Sequence, residues 1–539
     1  MRLGWFYLRP TDTTAFDPSP ALSEALVRAG GVTDVIPSYD SVFVEFDADV
    51  TSEDRLRAFV STTAASGARG TSPLDPNAAD GPNSPFAAVP AQRESRTVTI
   101  PVVYGGSHGP DLVEAAAVTG MSEERVAELH RSVEYRVAAL GFMPGFAFMT
   151  GVPDALRLPR RPAPRPAVPA HSVAVANEQA GVYPLESPGG WNLLGRATVA
   201  MYDPHRDEPF LVRPGDGVRF VAARTGEEPP PSPGALDLLP TEPRHPSLMV
   251  LEPGLLDLIV DRGRWRVGRF GLARGGPLDT RTAELANRLI GNPLDAALLE
   301  LSVIGPVLEA LRPTVVAVTG DALVPFVDGI RREPWSSVAL RRGQVLSFEP
   351  GASGSRAYLA LSGGIDVGLF AGSAATDLRG LLGRALRAGD VLGASHPHHG
   401  ADGRTFKGHA RSSPEVRVRI VAGPQANDEA LEALTRNSFG AARGDRTGLM
   451  LDGPAVPGGE VVSEGVPIGA VQVTSGGSPI VLLHDRGTLG GYHKPAVVHP
   501  ADLGLVAQMR PGQRLRFTLT EVDRTVASST RRPSRLRAR

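Results

Sequence analysis

Thr97-Val-Thr-Ile-Pro-Val-Val-Tyr104 is short, β-rich and partly alternating, and a Gly-Gly turn follows it. Runs of the same kind recur at Ser41–Phe46, Ser172–Ala176, Thr314–Thr319, Val416–Val421 and Arg514–Leu519. Period-two apolar spacing puts one face of an extended chain on a core, so each reads as a strand. Pro214-Gly-Asp216 and Pro511-Gly-Gln513 are turns that each lead into such a run, a pattern that suggests β-barrels with a few helical insertions. Helical spacing covers Pro110–Thr119, Ser122–Ala139 and Asp279–Ile290, and a helix at Ala21–Ala29 feeds the strand at Ser41. The expected fold is mainly β with α+β additions. Its expected parts are a small α+β domain (1–95), a barrel (96–224), a Pro-rich linker (225–247), two further β domains (248–410 and 411–523) and a basic tail (524–539).

Composition removes several functions. The 539 residues include 61 Gly and 49 Pro, which implies many turns and few long helices. A net charge of -2 offers no basic footprint for nucleic acid, and no apolar run is long enough for a bilayer. The start of the chain lacks the apolar core of a signal peptide, and with no Cys there is no disulfide, thiol nucleophile or thiolate metal site. A cytoplasmic enzyme is the resulting expectation. Only Lys407 and Lys494 among the 56 basic residues are lysine, and neither sits in a Gly-Lys-Ser/Thr phosphate loop or a biotin-attachment turn. A serine amidase of the Ser-Ser-Lys type is excluded on the same ground.

The densest segment runs from Leu140-Gly-Phe-Met-Pro-Gly-Phe-Ala-Phe-Met149 through Pro159-Arg-Arg161 to Gly181–Asn192. Glycine and proline beside aromatics give an irregular, rigid backbone suited to a binding wall, and Arg160, Arg161 and Arg165 suit carboxylate or phosphate. Gln179, Ser187, Gly189, Gly190 and Trp191 complete that candidate substrate- or nucleotide-binding set. Gly105-Gly-Ser-His-Gly109 fits the Gly-x-Ser-x-Gly nucleophile pattern, but one match in a Gly-rich chain carries little weight. The His396, His398 and His399 group lacks carboxylates at ligand spacing and reads as a surface loop, so no metal site is expected.

Tyr104–Leu112, Gly141–Phe146, Pro159–Arg161 and Ser187–Trp191 together resemble the B component of bacterial 5-oxoprolinase, also called allophanate hydrolase subunit 1. From Leu251 onward the chain resembles the C component, or allophanate hydrolase subunit 2. The supporting runs include Gly363–Asp366, Gly423–Gln425, Asp445–Gly448, Ser463–Gly465, Val471–Val473, Pro479–Arg486 and Gly490–Tyr492. The resemblance implies cyclophilin-like β-barrels in both halves of a B–C fusion. It implies activation of 5-oxoproline, a small lactam amide, by ATP with magnesium. A separate A-type lactam hydrolase protein would then complete ring opening to glutamate, and a homo-oligomer is compatible with the family. The resemblance also admits a carboxyltransferase for a urea-like amide, with biotin on another protein, or a non-catalytic regulatory binding protein. Asp485, Arg486, Tyr492 and Lys494, around the Gly487–Gly491 turn, become the leading catalytic set together with Glu464. Arg446 and Gln472 join the binding set, whereas Asp279 reads as a helix cap and Glu300 as a buried structural acid. The chain departs from the family pattern at Val260, Ala374, His171 and Ala180, where Gln, Arg, Gly and Thr are usual.

Overall fold

The computed structural model describes residues 3–9, 20–65, 96–224, 226–407 and 413–520. The tail and most of the Ser61–Arg96 gap lie outside these residues. Strands Leu3–Leu8, Val32–Pro37 and Val42–Asp47 form an antiparallel sheet with Val42–Asp47 in the middle, and helices Pro20–Val27 and Glu53–Ala65 accompany it. Leu26, Val35, Val44 and Leu56 make its own small core.

Two seven-strand barrels follow, far apart in sequence and identical in topology. The first contains, in chain order, Thr97–Tyr104, Glu134–Leu140, Ala147–Thr150, Ser172–Ala176, Gln179–Val182, Asn192–Ala197 and Gly217–Ala222. The second contains Glu415–Ala422, Ser438–Gly444, Gly448–Asp452, Ala470–Val473, Pro479–Leu482, Leu489–Val498 and Arg514–Leu519. In both, the first strand pairs parallel with the seventh and antiparallel with the sixth. The seventh pairs with the second, the second with the third, the third with the fifth, the fifth with the fourth and the fourth with the sixth. Each barrel also carries a short ribbon outside the ring, formed by a segment between the third and fourth strands and one near the start of the sixth. These ribbons are Arg165–Val168 with Ser187–Gly189, and Glu460–Gly465 with the first residues of Leu489–Val498.

Between the barrels lies a two-sheet unit. A six-strand sheet from Pro246–Glu252 to Val391–Gly393 packs on a five-strand sheet of Asp257–Val260, Leu298–Ser302, Thr314–Thr319, Ser336–Leu340 and Arg356–Leu361. Helix Thr280–Ile290 covers the five-strand sheet, and Asp279 caps it by accepting from the Thr282 amide at 3.2 Å. The Pro-rich segment is laid down between units. The Leu236 amide donates to Leu381 (2.8 Å), the Leu236 carbonyl accepts from Gly383 (2.8 Å), and the His205 ring meets the Gly234 carbonyl at 3.1 Å.

One helix is shorter than its spacing suggests. Over Ser122–Ala139 the helix occupies only Glu123–Arg131, starting from a Ser122 hydroxyl that accepts from the Arg125 amide at 3.2 Å. Glu134–Leu140 becomes a barrel strand, because alternating burial of Tyr135, Val137 and Ala139 fits a pleated surface that a helix does not offer. Among the departures from the family pattern, His171 has φ +68°, a backbone region that favours glycine, and Val260 and Ala374 are buried among apolar side chains.

The units close on one another around Gly271. Its φ is +78° and an added Cβ would lie 2.3 Å from the Met143 carbonyl of barrel 1, while the Gly145 amide donates to the Phe270 carbonyl at 3.0 Å. Leu489 of barrel 2 belongs to the core of barrel 1. Gly109 and Gly423 occupy equivalent places in the two barrels, and a Cβ on either would lie 2.0 or 2.1 Å from a sixth-strand carbonyl, that of Leu194 or Lys494. Backbone has little room to yield, so Gly109→Ala and Gly423→Ala are each expected to cost at least about 2 kcal/mol. Urea unfolding followed by circular dichroism checks this, and an unchanged midpoint in both variants contradicts the close approach.

Candidate functional site

The middle of the sixth strand in barrel 2 carries a buried charged cluster. Lys494 is fully buried; its Nζ lies 3.2 Å from Glu464 Oε1 and donates to the Tyr492 carbonyl at 3.1 Å. Gln425 donates to the same Glu464 oxygen at 2.5 Å and accepts from the Lys494 amide at 3.1 Å. Arg9, from the N-terminal domain, donates to Glu464 Oε2 at 2.7 Å, and the Tyr7 hydroxyl donates to the Gly465 carbonyl at 2.6 Å. Burial pulls the Lys494 ammonium below its ordinary pKa, and Glu464 opposes that shift. Tyr492 is exposed beside this cluster, and the Gln472 amide lies across Gly490.

The adjoining loop points its charges at the N-terminal domain. Arg486 donates through Nε to the Val466 carbonyl at 2.7 Å, and its Nη1 is buried with no hydrogen-bond partner. Burial lowers its pKa to about 10, against the attraction of Glu45 and Asp34. Arg274 donates to Glu45 at 2.8 Å and stacks 3.3 Å from the Trp265 ring centroid. Burial and then Glu45 raise the Asp34 carboxyl to about 6. His484 sits among Arg446, Arg274 and Arg486; burial and these three cations lower its pKa to about 3, and its Nδ1 has no partner. The loop therefore holds a neutral imidazole and an uncommitted guanidinium donor among neighbouring cations, a combination suited to developing negative charge on oxygen.

Arg446 and Asp485 do something different. Arg446 makes a two-point contact with Asp485 (2.7 and 3.1 Å), bonds Glu300 through Nη1, and donates to the Gly276 carbonyl at 2.7 Å. Glu300 also accepts from the Leu278 amide (2.8 Å) and the Tyr358 hydroxyl (2.9 Å). Burial works against the Glu300 carboxylate, but Arg446 and Arg356 hold its pKa below the usual value. Burial pushes the Asp485 carboxyl up, against the pull of Arg446. With its donors spent inside the protein, Arg446 is a positioning residue: it fixes the loop that carries His484 and Arg486.

The barrel 1 candidates gather elsewhere. Arg161 and Arg165 bond Asp111 at 2.8 and 2.5 Å, the Arg161 amide donates to the Gly190 carbonyl at 2.8 Å, and Gly189 lies against the Tyr183 hydroxyl. Trp191 is buried against Phe146 and Phe148, with ring centroids 5.5 and 5.9 Å apart. Arg160 is exposed, and Ser187 is buried on the ribbon opposite Val168. Gln179 sits half-buried at a hairpin turn, and no described contact ties it to the arginines. Ser107 of the Gly-x-Ser-x-Gly run lies in a turn that Gly109 closes onto Gly105 (2.9 Å), and His398 is held by Asn292 at 3.0 Å. Among the described residues no group of three His, Asp or Glu is placed to hold a metal ion.

Sequence reasoning did not assign Arg9, Asp34, Glu45, Arg274, Gln425 or His484 to the site. Gln425 and His484 lie inside runs that carry the family resemblance, so a signal existed for those two. The N-terminal residues have none, because only folding brings them to barrel 2.

Residues 7–212 match the family described as Carboxyltransferase domain, subdomain C and D, and residues 270–519 match Carboxyltransferase domain, subdomain A and B. The B component of 5-oxoprolinase from Escherichia coli O157:H7 is 56% identical over 133 residues, which is 25% of this chain and 61% of that protein. The chain thus matches about three-fifths of that relative. The C component of 5-oxoprolinase from Escherichia coli K12 is 30% identical over 289 residues, covering 51% of this chain and 92% of that protein. Urea amidolyase of Saccharomyces cerevisiae is 29% identical over 285 residues, 47% of this chain and 15% of that enzyme. The crystal structure of TTHA0988 superposes with a TM-score of 0.86 at 47% identity, covering 96% of this chain and all of that one. The fold and these matches define a carboxyltransferase-domain protein. The chain belongs to the family of the 5-oxoprolinase B and C components, with the two arrangements joined in one polypeptide.

Two consequences are measurable. Arg446→Ala leaves the buried Asp485 carboxylate without its cation and Glu300 with only the more distant Arg356 (3.7 Å), and is expected to cost about 3–5 kcal/mol in urea unfolding; a cost below about 1 kcal/mol contradicts the clamp. His484 is held neutral when folded but protonates near its ordinary pKa of 6.5 when unfolded, so the unfolded chain binds more protons between pH 6.5 and 3. Stability falls as pH drops through that window, and His484→Gln is expected to flatten the fall in thermal unfolding. An unchanged slope contradicts the buried neutral imidazole.

Proposed function

We propose that this chain is the lactam-activating component of an ATP-dependent 5-oxoprolinase, with the reaction centred where barrel 2 meets the N-terminal domain. The uncommitted Arg486 donor beside neutral His484, on the loop that leads into the strand carrying buried Lys494, is the observation that carries the placement. A lactam is a poor electrophile, and transferring the γ-phosphoryl group to its oxygen breaks the bond to ADP and leaves an imidate phosphate. Water added at that carbon by a separate A-type protein gives a tetrahedral adduct whose C–N bond breaks to open the ring as an acyl phosphate, and a second water then releases phosphate and glutamate. Charge spreads over the phosphoryl oxygens during transfer, so positioned cations contribute more than a nucleophile. Arg486 donates to those oxygens, Lys494 stands by to follow the moving charge, and Glu464, fixed by Arg9 and Gln425, sets where the ammonium rests. Magnesium in such sites travels on the phosphates and takes one or two carboxylates; Asp34, with one oxygen accepting no described hydrogen bond, is the acid that fits. The family's relatives support the enzyme role, and their names as parts of a larger enzyme support a partner protein.

A second reading is carboxyl transfer to a urea-like amide, favoured by the carboxyltransferase description and by the match to urea amidolyase. With two lysines, neither in a biotin-attachment context, that chemistry requires a biotin carrier on another chain.

Purified chain mixed with the A-type partner of a 5-oxoprolinase is expected to release ADP only when 5-oxoproline is present, with glutamate formed alongside. Lys494→Ala is expected to lower that rate about 100-fold or more. ADP release indifferent to 5-oxoproline rules out the primary reading, and carboxybiotin consumption with urea favours the second.

A further inference from the structure

The two barrels use one corner in the same way, with opposite charge. In barrel 2, Gln425 follows the first strand, accepts from the Lys494 amide on the sixth and binds Glu464 on the outer ribbon. In barrel 1, Asp111 follows the first strand, accepts from the Leu193 amide at 2.7 Å and binds Arg165 on the corresponding ribbon at 2.5 Å. An acid stands at the ribbon position in one corner and an arginine in the other.

The barrel 1 corner carries unspent donors. Arg165 Nη1 and Ser187 Oγ are buried without a hydrogen-bond partner, and Ser187 is only 7% exposed. The Tyr39 hydroxyl, brought by the N-terminal domain and packed edge-on to Phe148, is buried and unpaired as well. Arg160 is exposed, makes no ion pair among the described residues, and lies close enough to Tyr39 and Tyr183 to oppose the rise that burial imposes on both phenols. Buried donors are nearly always satisfied in folded proteins, so unpaired hydroxyl and guanidinium groups beside a free arginine call for an acceptor from outside the chain.

We infer that the Arg160–Arg165–Ser187 corner of barrel 1 is a second binding site, which takes the oxyanion group, phosphoryl or carboxylate, of a small ligand. The site does not depend on the reaction assigned to barrel 2. Asp111 holds Arg165 through Nη2, which leaves Nη1 for a ligand acceptor, and Arg160 supplies the uncompensated charge.

The test uses the full chain and the double variant Ser187→Ala/Arg160→Ala, titrated calorimetrically with inorganic phosphate, ATP and 5-oxoproline. At least one probe is expected to bind the unaltered chain and to bind the variant at least tenfold more weakly. The variant's unfolding midpoint without ligand is expected to hold or rise, because the lost hydroxyl had no partner. Tightest binding of phosphate or ATP assigns a phosphoryl group, and tightest binding of 5-oxoproline assigns a carboxylate. Equal affinity of chain and variant for every probe, absence of binding at millimolar concentration, or a lowered midpoint overturns the site. A chain that couples ATP hydrolysis to 5-oxoproline yet gives any of those results loses this site and keeps the barrel 2 reading.

Discussion

One guanidinium ties the molecule together. Arg446 sits in the hairpin between the second and third strands of barrel 2, yet it holds Asp485 on the loop before the sixth strand, Glu300 in the central five-strand sheet and the Gly276 carbonyl. Buried charges are costly unless their partners are complete, and here Glu300 has further donors of its own in Leu278 and Tyr358. That completeness fixes the loop carrying His484 and Arg486 against the central unit. The N-terminal domain meets this region through Arg9, which bonds Glu464, and through Asp34 and Glu45, whose carboxylates attract Arg486. Removing any of these parts leaves charge buried without its complement, so the site exists only in the assembled chain.

The duplicated barrel explains how one scaffold can hold two kinds of corner. Barrel 2 joins its hairpin to the loop before the sixth strand with the Arg446–Asp485 ion pair. Barrel 1 makes the equivalent junction with aromatics, Phe146 lying 5.0 Å from Tyr183 and 5.5 Å from Trp191 between ring centroids. An apolar junction gives packing with no directional polar group, which suits a wall. An ionic junction holds polar side chains at fixed angles in a dry interior, which suits chemistry.

Much of this was legible from residues alone. Alternating runs such as Thr97–Tyr104 and Arg514–Leu519 are strands, since period-two patterning is a local property. The Asp279 cap and the burial of Glu300 were also readable. The segment after Arg131 was not, because helical spacing there continues into a strand that only barrel closure selects. Arg446 illustrates a different limit: a conspicuous arginine in a matched run reads equally well as a ligand contact or a clamp until its three partners, up to 170 positions away, are in place. Arg9, Asp34 and Glu45 carry no local mark of function at all.

A crystal structure of the chain with 5-oxoproline and a non-hydrolysable ATP analogue tests the central claim most directly. The predicted result is a lactam oxygen and a terminal phosphate within hydrogen-bond reach of Arg486 and Lys494, at the junction of barrel 2 and the N-terminal domain. Both ligands bound clear of that junction, with His484 and Arg486 still lacking external partners, would contradict it.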